Sequence, residues 1–241
     1  LLAIAHLGKV TILSQFLRKH EAKKGHRDVH NRNLARYAAR GNAYNVLWFL
    51  NENYPELFDM PDNDGYTAVH ELALQGNEMT LEKLVKKDPD SLDAVTCHGE
   101  TVAHSAVQPS SMGFIRHQRE VLALLFEHKP NQFRACNTVG ETPMHILAKQ
   151  GNVEELLFLL EKDPTLLNSD SRLHCPIDYL PPSTDPDDKQ KLIELTRRRS
   201  LRLQALSFQQ GNRKRRREDT EPKEGADNDP SPSERSGLGP R

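Results

Sequence analysis

No part of the 241-residue chain runs for the ~18 uninterrupted apolar residues that a membrane-spanning helix needs, because Lys, Arg or Asn breaks each greasy stretch. A helical membrane span is therefore not expected. Cysteine is scarce as well. Cys97, Cys136 and Cys175 form no CxxC pair, and their odd number argues against a secreted disulfide framework and for a reducing compartment. Aromatic residues make up 6% of the chain, and a formal net charge of -1 gives no overall attraction to nucleic acid or to a membrane surface. An electrostatic partner must then meet a local patch. Also missing are a Gly-rich phosphate loop, G-x-S-x-G, H-E-x-x-H and any evident nucleophile paired with a base. No catalytic residue, metal ligand or cofactor is expected. The opening Leu1-Leu2-Ala3-Ile4-Ala5 has no basic residue before it and reads as structure rather than as a signal peptide. The start at Leu1 without Met leads us to expect a piece of a longer product.

What is present is a repeat. Gly65-Tyr66-Thr67-Ala68-Val69-His70, Gly99-Glu100-Thr101-Val102-Ala103-His104 and Gly140-Glu141-Thr142-Pro143-Met144-His145 share the pattern G-x-T-x-x-H, spaced by 34 and then 41 residues. Each residue type has a mechanical reason. Thr67, Thr101 and Thr142 stand where a helix should start, so that the hydroxyl can take an orphan N–H of the first turn, and Pro143 occupies the first helical position, where its missing N–H costs nothing. Gly65, Gly99 and Gly140 close the preceding turn. His70, His104 and His145 fall on the first helical turn, where an imidazole can tie one repeat to the next, and their register favours this structural role over metal or base chemistry. His26 and His30 have a metal-like spacing but no accompanying Cys pair or carboxylate cluster, and are read as surface residues.

A second helix follows each first one. Leu81, Leu84 and Val85, then Val121, Leu122, Leu124 and Leu125, then Val153, Leu156, Leu157, Leu159 and Leu160 form apolar stripes at helical spacing. Pro55, Pro89, Pro130 and Pro164 then stop the helices, each followed by an apolar anchor at Leu57, Leu92, Phe133 or Leu167. Aligning Ala38-Ala39-Arg40-Gly41-Asn42 with Ala73 to Asn77 extends the pattern back over about residues 31 to 60, with Val46-Leu47-Trp48-Phe49-Leu50 as its second helix. Ala5-His6-Leu7-Gly8 reads as the remains of a further repeat. Cys175-Pro176-Ile177-Asp178 reads as a start cut short by Pro181-Pro182.

These residues resemble the ankyrin-repeat family, most plainly Gly140-Glu141-Thr142-Pro143-Met144-His145-Ile146-Leu147-Ala148. The resemblance implies an all-α solenoid of about five helix-turn-helix repeats over residues 1–180 that binds a partner protein through turn tips and a concave helical face. Carried over, the tips would be Asp62, Asn63 and Asp64; Thr96, Cys97 and His98; Asn137, Thr138 and Val139; and Ser169, Asp170 and Ser171. The concave face would be lined by Glu71, Leu74, Gln75, Ser105, Ile146, Lys149 and Gln150. One insertion, Val107 to Phe114, lengthens a loop and carries Met112 and Phe114.

Beyond the repeats, Asp185-Pro186-Asp187-Asp188 opens an amphipathic helix over residues 183–210, with Leu192, Leu195, Leu203 and Leu206 on its apolar face. It is expected to cap the solenoid. Residues 211–241 have hardly any large apolar residue and read as a disordered tail. The tail opens with Arg213-Lys214-Arg215-Arg216-Arg217, a run of the kind read by nuclear import receptors or by phosphates. Glu218, Asp219, Glu221 and Glu224 follow and weaken generic nucleic-acid binding. The expected function is a non-catalytic protein-protein interaction module addressed to cytoplasm and nucleus, with a partner protein and a nuclear import receptor as its ligands. The alternative is nucleic-acid or phosphate binding by the basic helix and tail, with the solenoid as a tether. The variable repeats also resemble host-directed ankyrin proteins of intracellular bacteria, which implies a secreted effector acting in a host cell.

Overall fold

A computed structural model describes residues 1–109, 118–167, 175–195 and 197. The chain divides into two units, Leu1–Arg199 and Ser200–Arg241, and the second lies outside the described residues. So do Met112 and Phe114 of the insertion, Leu203 and Leu206 of the expected capping helix, and the basic run Arg213 to Arg217.

The first unit is all-α. Its helices are α1 (Leu2–His6), α2 (Val10–Lys19), α3 (Leu34–Arg40), α4 (Tyr44–Asn53), α5 (Ala68–Leu74), α6 (Glu78–Lys87), α7 (Val102–Val107), α8 (Gln118–His128), α9 (Pro143–Gln150) and α10 (Val153–Lys162). A final helical run covers 186–195. Among the described residues there is no strand, only an isolated antiparallel bridge between Val95 and Thr101. None of the described helices is long and apolar enough to cross a membrane.

Helices of five to eight residues are too short to persist alone, so packing must hold them. The short, odd-numbered helices pack in sequence, α1 on α3, α3 on α5, α5 on α7, α7 on α9 and α9 on the 3₁₀ turn Pro176–Tyr179. Their buried faces are rich in alanine, with Ala38, Ala39, Ala68, Ala73, Ala103, Ala106 and Ala148, which lets neighbouring backbones approach closely. The longer even-numbered helices form a second row, α2 on α4, α4 on α6 and α6 on α8, and each packs on the short helix before it. One apolar cluster runs through both rows from Ala5 to Leu192. After α4, α6, α8 and α10 a 3₁₀ turn buries its anchor, Leu57, Leu92, Phe133 or Leu167, as the Pro-led pattern predicts; the turn after α2, Glu21–Gly25, has no Pro and buries none of its residues.

The starts of the short helices explain the sequence pattern. Thr67 with His70, Thr101 with His104, and Thr142 with His145 each form a capping box. Each Nδ1 accepts from the threonine N–H at 3.1–3.2 Å, which leaves Nε2 as the donor; His104 Nε2 lies 3.0 Å from Glu141 O in the next layer. Cys175 and Asp178 make the same box at the last turn. The α3 repeat has neither Thr nor His. There Asn33 takes over the start, accepting from Arg36 N at 2.9 Å and donating to Leu57 O at 2.7 Å.

The alignment of this repeat needs correction by one residue. Asn33 stands where Thr67 stands, 34 residues on, so Asn42, not Gly41, matches Gly76. Asn42 and Gly76 both adopt left-handed backbone, at φ 48° and 66°. Gly41 has φ -86° and is glycine for another reason, since a Cβ there would meet His6 O at 2.0 Å.

Asp185 opens the last helical run by accepting from Asp187 N at 2.8 Å through Oδ1 and from Lys189 N at 3.0 Å through its carbonyl. Leu192 is fully buried and Leu195 packs partly on the same cluster, so this run covers the end of the apolar core.

Candidate functional site

Four turns between helix pairs are built alike. The first residue of each, Asp28, Asp62, Thr96 or Asn137, uses one side-chain oxygen to accept two backbone N–H groups. Asp62 Oδ1 takes Asp64 N and Tyr66 N at 3.0 and 2.9 Å, and Asn137 Oδ1 takes Val139 N and Glu141 N at 3.1 and 2.9 Å. Asp28 and Thr96 repeat the arrangement. The fourth residue is left-handed in each: Asn31, Gly65, Gly99 and Gly140. At Gly65 a Cβ would also meet Cys97 N at 2.8 Å, because the turns are laced together there. Asn63 N donates to His30 O at 3.0 Å, Cys97 N to Asp64 O at 2.9 Å and Thr138 N to His98 O at 2.8 Å. The four tips thus form one edge cross-linked by main-chain atoms.

This geometry separates the tip residues read from the sequence into two kinds. Asn63, Asp64, Cys97, His98, Thr138 and Val139 are exposed at the tips. Asp62, Thr96 and Asn137 have their side-chain oxygens bonded inside the turns, and Asp62 also pairs with Arg36 at 3.0 Å. Ser169, Asp170 and Ser171 lie outside the described residues. The sequence reading missed the first tip, Val29 and His30, with Val29 89% exposed. The signal for it was an Asp three residues before an Asn, where the other turns have Gly.

The concave-face assignment needs a larger correction. Glu71, Gln75, Ser105 and Ile146 are buried; Leu74 and Gln150 are half-buried, and Lys149 is exposed. Glu71 is covered because its carboxylate receives Arg36 Nε at 3.1 Å and Gln75 Nε2 at 3.0 Å. Arg36 occupies the register position of His70 and reaches forward to Asp62 and Glu71 of the next layer, with its guanidinium 5.1 Å from the Tyr66 ring centroid. Tyr66 in turn donates its hydroxyl to Glu100 one layer further on. Burial, followed by that carboxylate, raises the Tyr66 phenol above its ordinary range. At the first turn, burial works against Asp28, but hydrogen bonds from Arg32, Tyr37 and the His30 N–H hold its carboxyl well below the usual range.

Burial pushes His70 down to about 4, opposed by the Glu100 and Ala94 carbonyls, and also lowers His104. His104 acts as a structural cross-link, its Nδ1 on Thr101 N and its Nε2 on Glu141 O, whereas His70 is held by its Nδ1 and its Nε2 is buried without a hydrogen-bond partner. Among the described residues no group of three His, Cys, Asp or Glu side chains is placed to hold a metal ion. None of the three cysteines is in a disulfide; Cys97 and Cys136 are exposed and Cys175 is half-buried.

A second surface lies on the long-helix row. Val46, Leu47 and Leu50 of α4 point inward as the stripe predicts, but Trp48 is 51% exposed. Beside it are the exposed Tyr44 and, from α6, Met79 and Lys83.

The arrangement defines the protein as an all-α chain of stacked helix pairs whose connecting turns align along one edge. The chain matches no protein-family model and no curated protein sequence. Among solved structures it is similar in fold to a chain from the complex of a predatory endopeptidase of Bdellovibrio bacteriovorus with an immunity protein. The TM-score is 0.61 at 16% identity, over 81% of this chain and 94% of that one.

Proposed function

We propose that this chain is an ankyrin-type repeat scaffold that binds another protein through its turn-tip edge and performs no catalysis. The observation that carries the reading is the lacing of the tips by three main-chain hydrogen bonds, from His30 to Thr138, with one side-chain bond from Asn63 to Val29 O beside them. It fixes six exposed side chains, Asn63, Asp64, Cys97, His98, Thr138 and Val139, in one row while asking no structural duty of most of them. A rigid row of this kind binds with little ordering cost. The repeat histidines, which would be the first candidates for chemistry, are occupied as helix caps. The similar fold found in a complex of two proteins supports a protein as the partner.

The test compares capture of proteins from eukaryotic lysate by the native chain and by the triple variant Asp64→Ala, His98→Ala, Val139→Ala, with helical content checked by circular dichroism. A protein held by the native chain and lost by the folded variant supports the tip edge. Capture unchanged by the tip variant but lost on removal of residues 211–241 would move the function to the tail. The proposal includes nuclear addressing by Arg213-Lys214-Arg215-Arg216-Arg217; a fluorescent fusion should leave the nucleus when these five are changed to alanine.

A further inference from the structure

Between α4 and α6, on the long-helix row and apart from the tips, lies a cleft of about 190 Å³ lined by Tyr44, Leu47, Trp48, Asn51, Met79, Thr80 and Lys83. Three of its walls are large, exposed and apolar: Tyr44, Trp48 and Met79, the last 60% exposed on an unbranched, adaptable side chain. Its floor is polar. Asn51 is 5% exposed, and its Oδ1 is buried without a hydrogen-bond partner, which an acceptor out of water does not tolerate without cost. At the rim, Lys83 holds its ammonium 3.6 Å from the centroid of the Trp48 ring and makes no ion pair among the described residues. Its neighbour Lys86 is the lysine that occupies Glu82, at 2.6 Å.

From these three observations we infer that the cleft is a second docking site, which takes a tyrosine side chain from a partner segment with a carboxylate next to that tyrosine. A cavity of ~150 Å³ accommodates one benzene ring, so this cleft fits a single six-membered ring. Trp48, Tyr44 and Met79 cover the ring faces and edge. A phenol both donates and accepts, and therefore satisfies the Asn51 amide in either orientation, which a phenylalanine ring would leave unpaired. Lys83 meets the adjacent carboxylate without losing its contact to the Trp48 face. The exposed apolar rim extends past the cleft itself, so a polypeptide that covers Tyr44 and Met79 gains area that a free small molecule does not. Aromatic and methionine anchors around a polar floor have the composition of an interface centre.

The chain has a single tryptophan, so Trp48 emission reports on this site alone. The native chain is titrated with toluene, p-cresol and 4-hydroxyphenylpropionate, and with a tryptophan-free helical peptide carrying Glu-Tyr-Glu. We expect p-cresol to bind about five-fold more tightly than toluene. The carboxylate of 4-hydroxyphenylpropionate should add to this, with the gain lost in Lys83→Met, and the peptide should bind at least about ten-fold more tightly than p-cresol. Asn51→Leu, which removes an amide whose oxygen has no partner, should keep the melting temperature and erase the difference between p-cresol and toluene. The tip variant Asp64→Ala, His98→Ala, Val139→Ala should bind every probe as the native chain does, so the fate of this site and of the tip edge are read separately. Equal binding of toluene and p-cresol overturns the proposal. So does a peptide no tighter than the free phenol, which would make the cleft a small-molecule site. A shift of Trp48 emission with protein concentration alone overturns it in favour of a second copy of the chain.

Discussion

Neighbouring tip residues have opposite jobs. Asp62 and Asp64 look equivalent in the sequence, but the Asp62 side chain accepts two backbone N–H groups and pairs with Arg36, whereas Asp64 contributes to the fold through its main-chain N–H and carbonyl. Asp62→Ala should therefore cost about 2–4 kcal/mol, because it strips the turn and leaves Arg36 with one of its two carboxylates. Asp64→Ala should stay within about 0.5 kcal/mol. Urea denaturation of the two variants measures the contrast, and equal losses would dismiss it. The sequence could not separate the pair, since what distinguishes them is the partner at Arg36. For the same reason Glu71 passed for a surface residue: its carboxylate is held by an arginine contributed by the previous layer, and Gln75 donates to that same carboxylate. Trp48 erred the other way, an apolar residue inside an apolar run whose helical phase turns it outward.

Local chemistry made the elements far more legible. Thr and His at a fixed offset mark three helix starts, one of them with Pro143 as well, because capping is decided within four residues, and the structure has a capping box at each. The α3 repeat lacked those letters, and a Gly-Asn pair invited a one-residue slip; only the backbone angle of Asn42 and the approach of His6 to Gly41 show which residue turns and which one yields room. That close approach gives an element-scale prediction. Gly41→Ala should force α1 away from α3, raising amide exchange in α1 and α2 by at least about ten-fold, while α7 to α10 keep native protection, since a stacked array is held by nearest-neighbour contacts. Uniform loss of protection would mean that the array melts as one body. Capping should also grade by reach. Thr142→Ala removes a local cap for about 1 kcal/mol, whereas His104→Ala opens a cavity and removes one of the two donors to Glu141 O in the next layer, for about 2–4 kcal/mol, as read from denaturant midpoints.

At the scale of the whole molecule the buried imidazoles set a pH limit. His70 falls from an ordinary 6.5 to about 4 on folding and His104 is lowered as well, both by burial. The unfolded chain therefore binds protons more readily than the folded one below pH 6.5. The stability these groups contribute is complete above that pH and is lost as pH falls towards 4. For His70 alone the loss is on the order of 3 kcal/mol. Chemical denaturation should show a flat plateau from pH 7 to 8 and a clear drop between pH 6 and 4.5, reduced in His70→Gln. A decline that begins only below pH 4 would point instead to carboxylates such as Asp28.

The lacing of the tips has a mechanical side. Each substantial packing contact joins elements of one layer or of adjacent layers, so tension applied between the ends is carried by the junctions one after another, as in a chain of springs. Two rungs of the tip edge and the Arg36 ion pairs act across different junctions, and their unequal stiffness sets the order in which layers part. Pulled slowly, such a molecule lengthens in steps of roughly one repeat, and its recognition row would be taken apart two exposed side chains at a time.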